Sequence, residues 1–351
     1  MGLEFLRDHG AKRVASSQPQ PPLFDAPEEE GEEAPKNVDT NYEVDSDNDW
    51  LARPVTAVSA REIHQWEERP RRFIDGKDVG ETVTWLTAPT GHPIPVRLSE
   101  IGGVEVRVID GVCRRVFAVV ERVVSMIVDP FPWDEIEEFA SALQERGFRL
   151  LPAQKPAGRL SYDFEVMRKA AQNRSNTEMG VLEEAALAQD NLVPTVVDGR
   201  LEPRSGGLDR AHSPVAGVIK SHSKNYLHEK GLQLLYQLAP GERTPLFALP
   251  DANLPVVSWY LRLSPAQDIS PNWGLVRVEL PLRWFEQRRN NDGFVYVDRL
   301  SHLLCEYRCR DTGYARAPVS LHPIVRAEGL LGALFTPNRV LTQRFYRLAD
   351  I

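Results

Sequence analysis

Three carboxylates in this sequence stand before a glycine at the end of an apolar, β-rich run: Asp75 in FIDG, Asp110 in VIDG and Asp198 in TVVDG. A carboxylate at a strand end, where glycine lets the chain turn away, points outward from a sheet edge. Two or three of them meeting on neighbouring strands make a hard-oxygen site for Mg²⁺ or Mn²⁺. Phosphodiester hydrolysis assisted by two metal ions uses such an arrangement. Asp-Gly after a strand is also an ordinary turn signal, and Asp110 reads most simply as that. A helical acid would complete the cluster. Glu165, Glu178, Glu183 and Glu184 all precede Asp198, and the spacing leaves Glu178 and Glu183 open.

Basic and aromatic residues gather in GVIKSHSKNYL, which places Lys220, His222, Lys224 and Tyr226 at the expected start of a helix. Lysines there suit a phosphate, because free N–H groups and the helix dipole add to their charge. Tyr226 is of a type that stacks on an unpaired base. His302, Cys305 and Cys309 share one helix face. A structural zinc site needs four ligands and no second pair exists, so these three read as core residues. No GxxxxGK[ST], HExxH, GxSxG or GxGxxG occurs, which leaves acid-and-metal chemistry by elimination.

The elements that must position these groups follow from periodicity. A strand is expected to end at Asp75, with a turn over Gly76 to Gly80 and a return through Val83, Trp85 and Leu86. Another strand runs from Val104 to Asp110, and Val116, Val119, Val120, Val123, Val124 and Ile127 recur at helical spacing. Amphipathic helices are expected over Trp133 to Phe148 and Tyr162 to Gln189, followed by a strand stopping at Asp198. Beyond it, helices are expected over Ser223 to Leu238 and Val297 to Arg308 and from near Pro323. Strands are expected over Val256 to Leu263 and Leu275 to Leu280. Hairpins first and strand–helix alternation afterwards indicate an α/β fold with a mixed sheet.

The net charge of −8 is set by the first fifty residues, which hold thirteen Asp/Glu against four Lys/Arg. The rest of the 351 residues carries 38 basic and 37 acidic side chains, so charge does not exclude a polyanionic ligand. The stretch from Ser16 to Trp50 is rich in Pro, Glu and Asp, and a disordered acidic tail over residues 1–52 is expected ahead of a folded unit over 53–351. No apolar run approaches a membrane span, and the opening MGLEFLRDHG lacks a secretory h-region. With only three cysteines, a cytoplasmic protein is expected.

Taken in order, FIDG, the Arg- and Glu-bearing helix, VVDGRL, GVIKSH, ERTPLF, SWYLRL, WGLVRVELP and the late P-x-x-L-H resemble the NurA family of DNA-end-processing nucleases, from about Arg71 to Ile351. The resemblance implies a ribonuclease-H-like mixed β-sheet with flanking helices and a Mn²⁺-dependent (or Mg²⁺-dependent) site acting on single- and double-stranded DNA ends. It also implies a homodimer working with a HerA-type hexameric ATPase, which agrees with the missing P-loop. Carried over by position, the metal-binding and catalytic residues fall on Asp75, Glu178, Asp198 and His322. Lys77 stands where the family's Ser or Thr follows the first Asp-Gly, and Asp78 adds a neighbouring acid. Lys220, Lys224, Tyr226 and Arg277 are the expected DNA contacts. The alternatives are a non-catalytic DNA-guiding adaptor of a translocase and a ribonuclease-H-like nuclease directed at RNA or hybrids.

Overall fold

The computed structural model describes residues 2–14, 37–157, 163–190, 193–201, 214–222, 225–265, 271–311, 314 and 319–351. Near the amino end, α1 (Glu4–Asp8) buries Leu3, Phe5 and Leu6 against Val83, Leu86, Phe139 and Phe345. Residues 37–52 are built in as well. Tyr42, Val44 and Trp50 are buried, and Glu43 accepts from Arg243 and from the backbone N–H of Leu246. The expected tail is therefore narrower than residues 1–52, because aromatic and aliphatic residues at both its ends find apolar surface to cover. Residues 15–36 lie outside the described residues.

After β1 (Arg53–Pro54) and α2 (Ala60–Gln65) comes a long antiparallel meander, β2 (Arg72–Thr87), β3 (Pro93–Ile109) and β4 (Val112–Ile127). The chain continues through α3 (Trp133–Glu145), β5 (Arg149–Ala153) and α4 (Phe164–Leu187) to β6 (Thr195–Asp198) and β7 (Val215–Ile219). Then follow α5 (Glu229–Gln237), β8 (Glu242–Arg243), β9 (Phe247–Leu249), β10 (Val256–Arg262), β11 (Leu275–Pro281), α6 (Leu282–Glu286), α7 (Gly293–Tyr307), α8 (His322–Gly332) and α9 (Asn338–Ala349). All the described strands join one mixed sheet in the order β1-β8-β10-β11-β7-β6-β2-β3-β4-β5, with β9 beside β10. At its centre, β6 lies parallel to β2, and β7 lies parallel to β6. The order β4-β3-β2-β6-β7 is that of a ribonuclease-H-like sheet, so the mixed α/β architecture is as expected.

Side-chain alternation divides this sheet between two helical layers. Phe73, Val196 and Val218 join Leu303, Leu304 and Ile324 of α7 and α8, and Val104 and Val106 meet Ala327 and Leu331 of α8. On the opposite face, Ile74 and Val197 pack with Ala186 and Leu187 of α4. Arg72, fully buried, ties that helix down. It donates to Glu105 Oε2 at 2.8 Å and to the Ala186 and Leu187 carbonyls at 2.6 and 3.0 Å, satisfying orphan acceptors at the α4 carboxyl end.

Two local expectations differ from the structure. The chain does not turn after Asp75, and β2 runs straight through to Thr87. Gly76 pairs with Gly103 in the ladder, and both face α4. A Cβ on Gly76 would fall 2.6 Å from Glu183 Oε1, and one on Gly103 would fall 2.5 Å from the Leu182 carbonyl. Glycine is there so that the helix can approach the sheet, and not to reverse the chain. The valine run from Val116 to Ile127 is β4 and not a helix. Val123 faces Leu182 beneath α4, while Ala118 and Val120 face Leu331 of α8. A strand apolar on both faces loses its period of two, and its β-branched content then decides.

Candidate functional site

The register between β2 and β6 sets Ile74 beside Val197, so one residue further along each strand stand Asp75 and Asp198. Asp198 in turn pairs with Val218 of β7, and Lys220 lies two residues beyond, on the same face. At Gly199 (φ +104°) the chain leaves β6 in a left-handed conformation, freeing Asp198 at the strand end. Lys220 Nζ donates to Asp198 Oδ2 at 2.6 Å and lies 3.9 Å from Glu328 Oε1, brought in by α8. Tyr314 Oη donates to the other oxygen of Glu328 at 2.7 Å. Three carboxylates from β2, β6 and α8 thus surround one buried ammonium.

Asp75 is only 3% exposed, and its Oδ2 has no hydrogen-bond partner. Burial, first, and then the charge of Asp198 push its carboxyl well above the usual range. Lys220 opposes this, and Glu328 and Glu183 add to it. Burial disfavours the charged form of Lys220, but Asp198 and Asp75 overcome it and hold the ammonium above its ordinary range.

Glu178 is elsewhere. It accepts from Arg149 at 2.6 Å and from Arg174 at 2.8 Å; burial raises its carboxyl, but those two hydrogen bonds prevail and hold it below its ordinary range. The expectation that Glu178 belongs with Asp75 is thereby corrected: its helical position turns it toward β5, where two arginines engage it. Glu183 lies nearer, over Gly76, but on the α4 face of the sheet, opposite to the one Asp75 occupies. Glu165 pairs with Arg168, and Glu184 is buried. Asp78 accepts from Arg97 and Ser175. Asp110, at φ 51°, is a tight turn between β3 and β4.

His322 opens α8 but is exposed, six residues before Glu328 and so about 9 Å away along the helix axis. It lines a cavity with Arg69, Arg71 and Arg308. Its expected place beside Asp75 and Asp198 is taken by Glu328. That residue carries a signal the sequence reading passed over: it is an acid within the apolar stretch of α8.

The expected DNA contacts are corrected too. Lys220 follows a strand, with its helix beginning only at Glu229, and its charge is spent on Asp198. Tyr226 is buried, stacked near Phe247 with centroids 6.2 Å apart, and the Arg277 guanidinium lies 4.5 Å above its ring. Arg277 is itself buried and paired with Glu279 at 2.5 Å. Tyr226 and Arg277 form an internal stack because β11 lies inside the sheet and points Arg277 into a closed layer. Lys224 lies outside the described residues. His222 Nε2 donates to the Leu275 carbonyl at 3.0 Å, and burial lowers its ring below the ordinary range. Cys309 is buried and Cys305 half-buried, and burial pushes the Cys305 thiol up to about 11.

No protein-family model matches the chain, and no curated protein does. Among solved structures, the chain is similar to the crystal structure of the NurA nuclease from Sulfolobus solfataricus, with 10% identity and a TM-score of 0.41, over 82% of this chain and 83% of that one. Among the described residues, no helix is long and apolar enough to cross a membrane.

Carboxylate oxygens are the donors that Mg²⁺ and Mn²⁺ prefer, and Asp75 Oδ2 is buried with no hydrogen-bond partner. Among the described residues no three acids or histidines stand in metal-holding geometry. Lys220 stands between Asp198 and Glu328 as their counter-charge. In donor type, though not in their present spacing, Asp75, Asp198 and Glu328 are the hard oxygens that a divalent ion takes.

Proposed function

We propose that the chain is a metal-dependent nuclease that hydrolyses phosphodiesters of DNA. The observation that carries this reading is the convergence of Asp75, Asp198 and Glu328 on one face of a ribonuclease-H-order sheet, around a single buried positive charge. Asp75 and Asp198, with Glu328 as the third carboxylate, would hold Mn²⁺ or Mg²⁺. Bound there, the ion supplies Lewis acidity toward a phosphate oxygen. Asp75, buried and rigid on a central strand, fixes the position. Asp198 and Glu328, which face Lys220 in this structure, would supply the remaining oxygen donors, and Lys220 would supply positive charge toward a phosphate. Tyr314 orients Glu328 through its hydrogen bond.

The motif series supports the same reading and adds partners: a second copy of the chain and a HerA-type hexameric ATPase supplying the motor. A non-catalytic adaptor is the competing function, and the neutralisation of the carboxylates by Lys220 favours it, since a site already holding its cation needs no metal.

Cleavage of single-stranded DNA, duplex DNA and an RNA–DNA hybrid, each with Mn²⁺, with Mg²⁺ and with EDTA, separates these readings. A nuclease is expected to cut DNA only with metal and to lose the activity in Asp198→Ala. Undiminished cutting by a folded Asp198→Ala protein, or no cutting under any condition, ends the proposal. Preference for the hybrid shifts the substrate to RNA.

A further inference from the structure

A cavity of about 1080 Å³ opens where the start of β2, the end of β3, the end of α7 and the start of α8 meet. Of the arginines that line it, Arg72 and Arg107 are committed to Glu105. Arg308 gives one N–H to the Cys305 carbonyl at 2.7 Å. Arg69, Arg71 and Arg310 have no ion pair among the described residues, and Arg69 Nε is buried without an acceptor. His322 lines the same cavity, as does the half-buried ring of Tyr307. The walls therefore offer planar guanidinium forks with unused donors, beside an aromatic ring. Such forks match the paired oxygens of a phosphate, and a ring among cations is how proteins hold unpaired bases.

We infer that this cavity binds the phosphate groups of a single nucleic-acid strand and guides it toward Asp75. The inference rests on the nuclease reading and supplies its substrate path. Asp75 follows Arg71 by four residues of extended chain, about 13 Å, and His322 and Glu328 share α8, so both elements lead from the cavity to the carboxylates. Asp110, Glu306 and Asp311 line the same cavity and would repel a phosphate, so the arginines would have to outweigh them.

The test is fluorescence anisotropy with a labelled single-stranded oligonucleotide in EDTA, where no cleavage occurs, and inorganic pyrophosphate as competitor. Arg71 and Arg310 are exposed, so the double substitution Arg71→Ala/Arg310→Ala leaves the core untouched. It is expected to weaken oligonucleotide binding by about tenfold or more and to lower the slope of log affinity against log salt by about 1.4. Arg339→Ala/Arg344→Ala, on the exposed side of α9, is expected to change neither. Unchanged affinity and slope in the first variant overturn the inference. Pyrophosphate displacing the strand at equal phosphate concentration overturns the strand and leaves a small phosphate ligand in its place. Because binding is read in EDTA, with neither metal nor cleavage, failure here is distinguishable from failure of the nuclease reading.

Discussion

Lys220 Nζ sits 2.6 Å from Asp198 Oδ2, and both side chains are largely withdrawn from water. With Asp75 and Glu328 beside them, the ammonium is the counter-ion of three acids. A buried pair of this kind gains little over an apolar substitute, but losing one partner leaves uncompensated charge.

Lys220→Met is therefore expected to destabilise the fold by about 3–5 kcal/mol. Millimolar Mn²⁺ or Mg²⁺ is expected to recover most of it, because the freed carboxylates then have a cation to hold. Thermal melts with and without metal measure both effects. A variant as stable as the parent without metal would show that Lys220 is not the counter-ion.

Asp75 makes a pH-dependent contribution. Its folded carboxyl titrates well above the ordinary value of 3.8, so ionisation penalises the folded state. The folded chain gains relative to the unfolded one below that ordinary value and loses the advantage as pH rises toward the folded value. Asp75→Asn is expected to be more stable than the parent at neutral pH. The difference should vanish as melts are taken to acidic pH, and a constant difference would contradict the burial.

The acids should separate by role. Glu328→Gln is expected to lower nuclease rate by two or more orders of magnitude, as removal of a carboxylate from the reacting site would, while Glu178→Gln keeps the rate. Glu178→Gln loses only partly exposed ion pairs with Arg149 and Arg174, a cost of about 1 kcal/mol or less. Cleavage rates beside denaturant melts give both numbers. A reversed ranking would return the site to α4.

The amino-terminal segment is expected to be structural. Phe5 stacks on Phe139 with centroids 4.8 Å apart and meets Phe131 edge-on at 5.2 Å. Phe5→Ala should cost about 3–5 kcal/mol, measured by urea unfolding. A loss below 1 kcal/mol would indicate that α1 adds little to the core.

Several features were legible in the sequence because they depend on local order alone. The strands β6, β10 and β11 and the helices α3 and α4 carry period and termini in their own residues, and Asp75 and Asp198 are marked by the apolar runs they follow. Equally local signals misled where a residue answers to a neighbour distant in sequence. Gly76 reads as a turn but serves the approach of α4. The valines of β4 read as a helix because both faces of that strand are covered.

The sequence by itself determined which residue types stand at the centre of the sheet, since alternation along β2 and β6 puts Asp75 and Asp198 on the same side as Phe73 and Val196. Only the tertiary structure decided their company. A helix fixes the angle between its own side chains, but which of them meets a given strand depends on where the helix docks. Arg72 anchors α4 with Glu178 turned to Arg149, and α8 settles over β2 and β3 with Glu328 facing Lys220. Those docking positions come from burying Leu182, Ala186, Ala327 and Leu331, residues with no chemistry of their own.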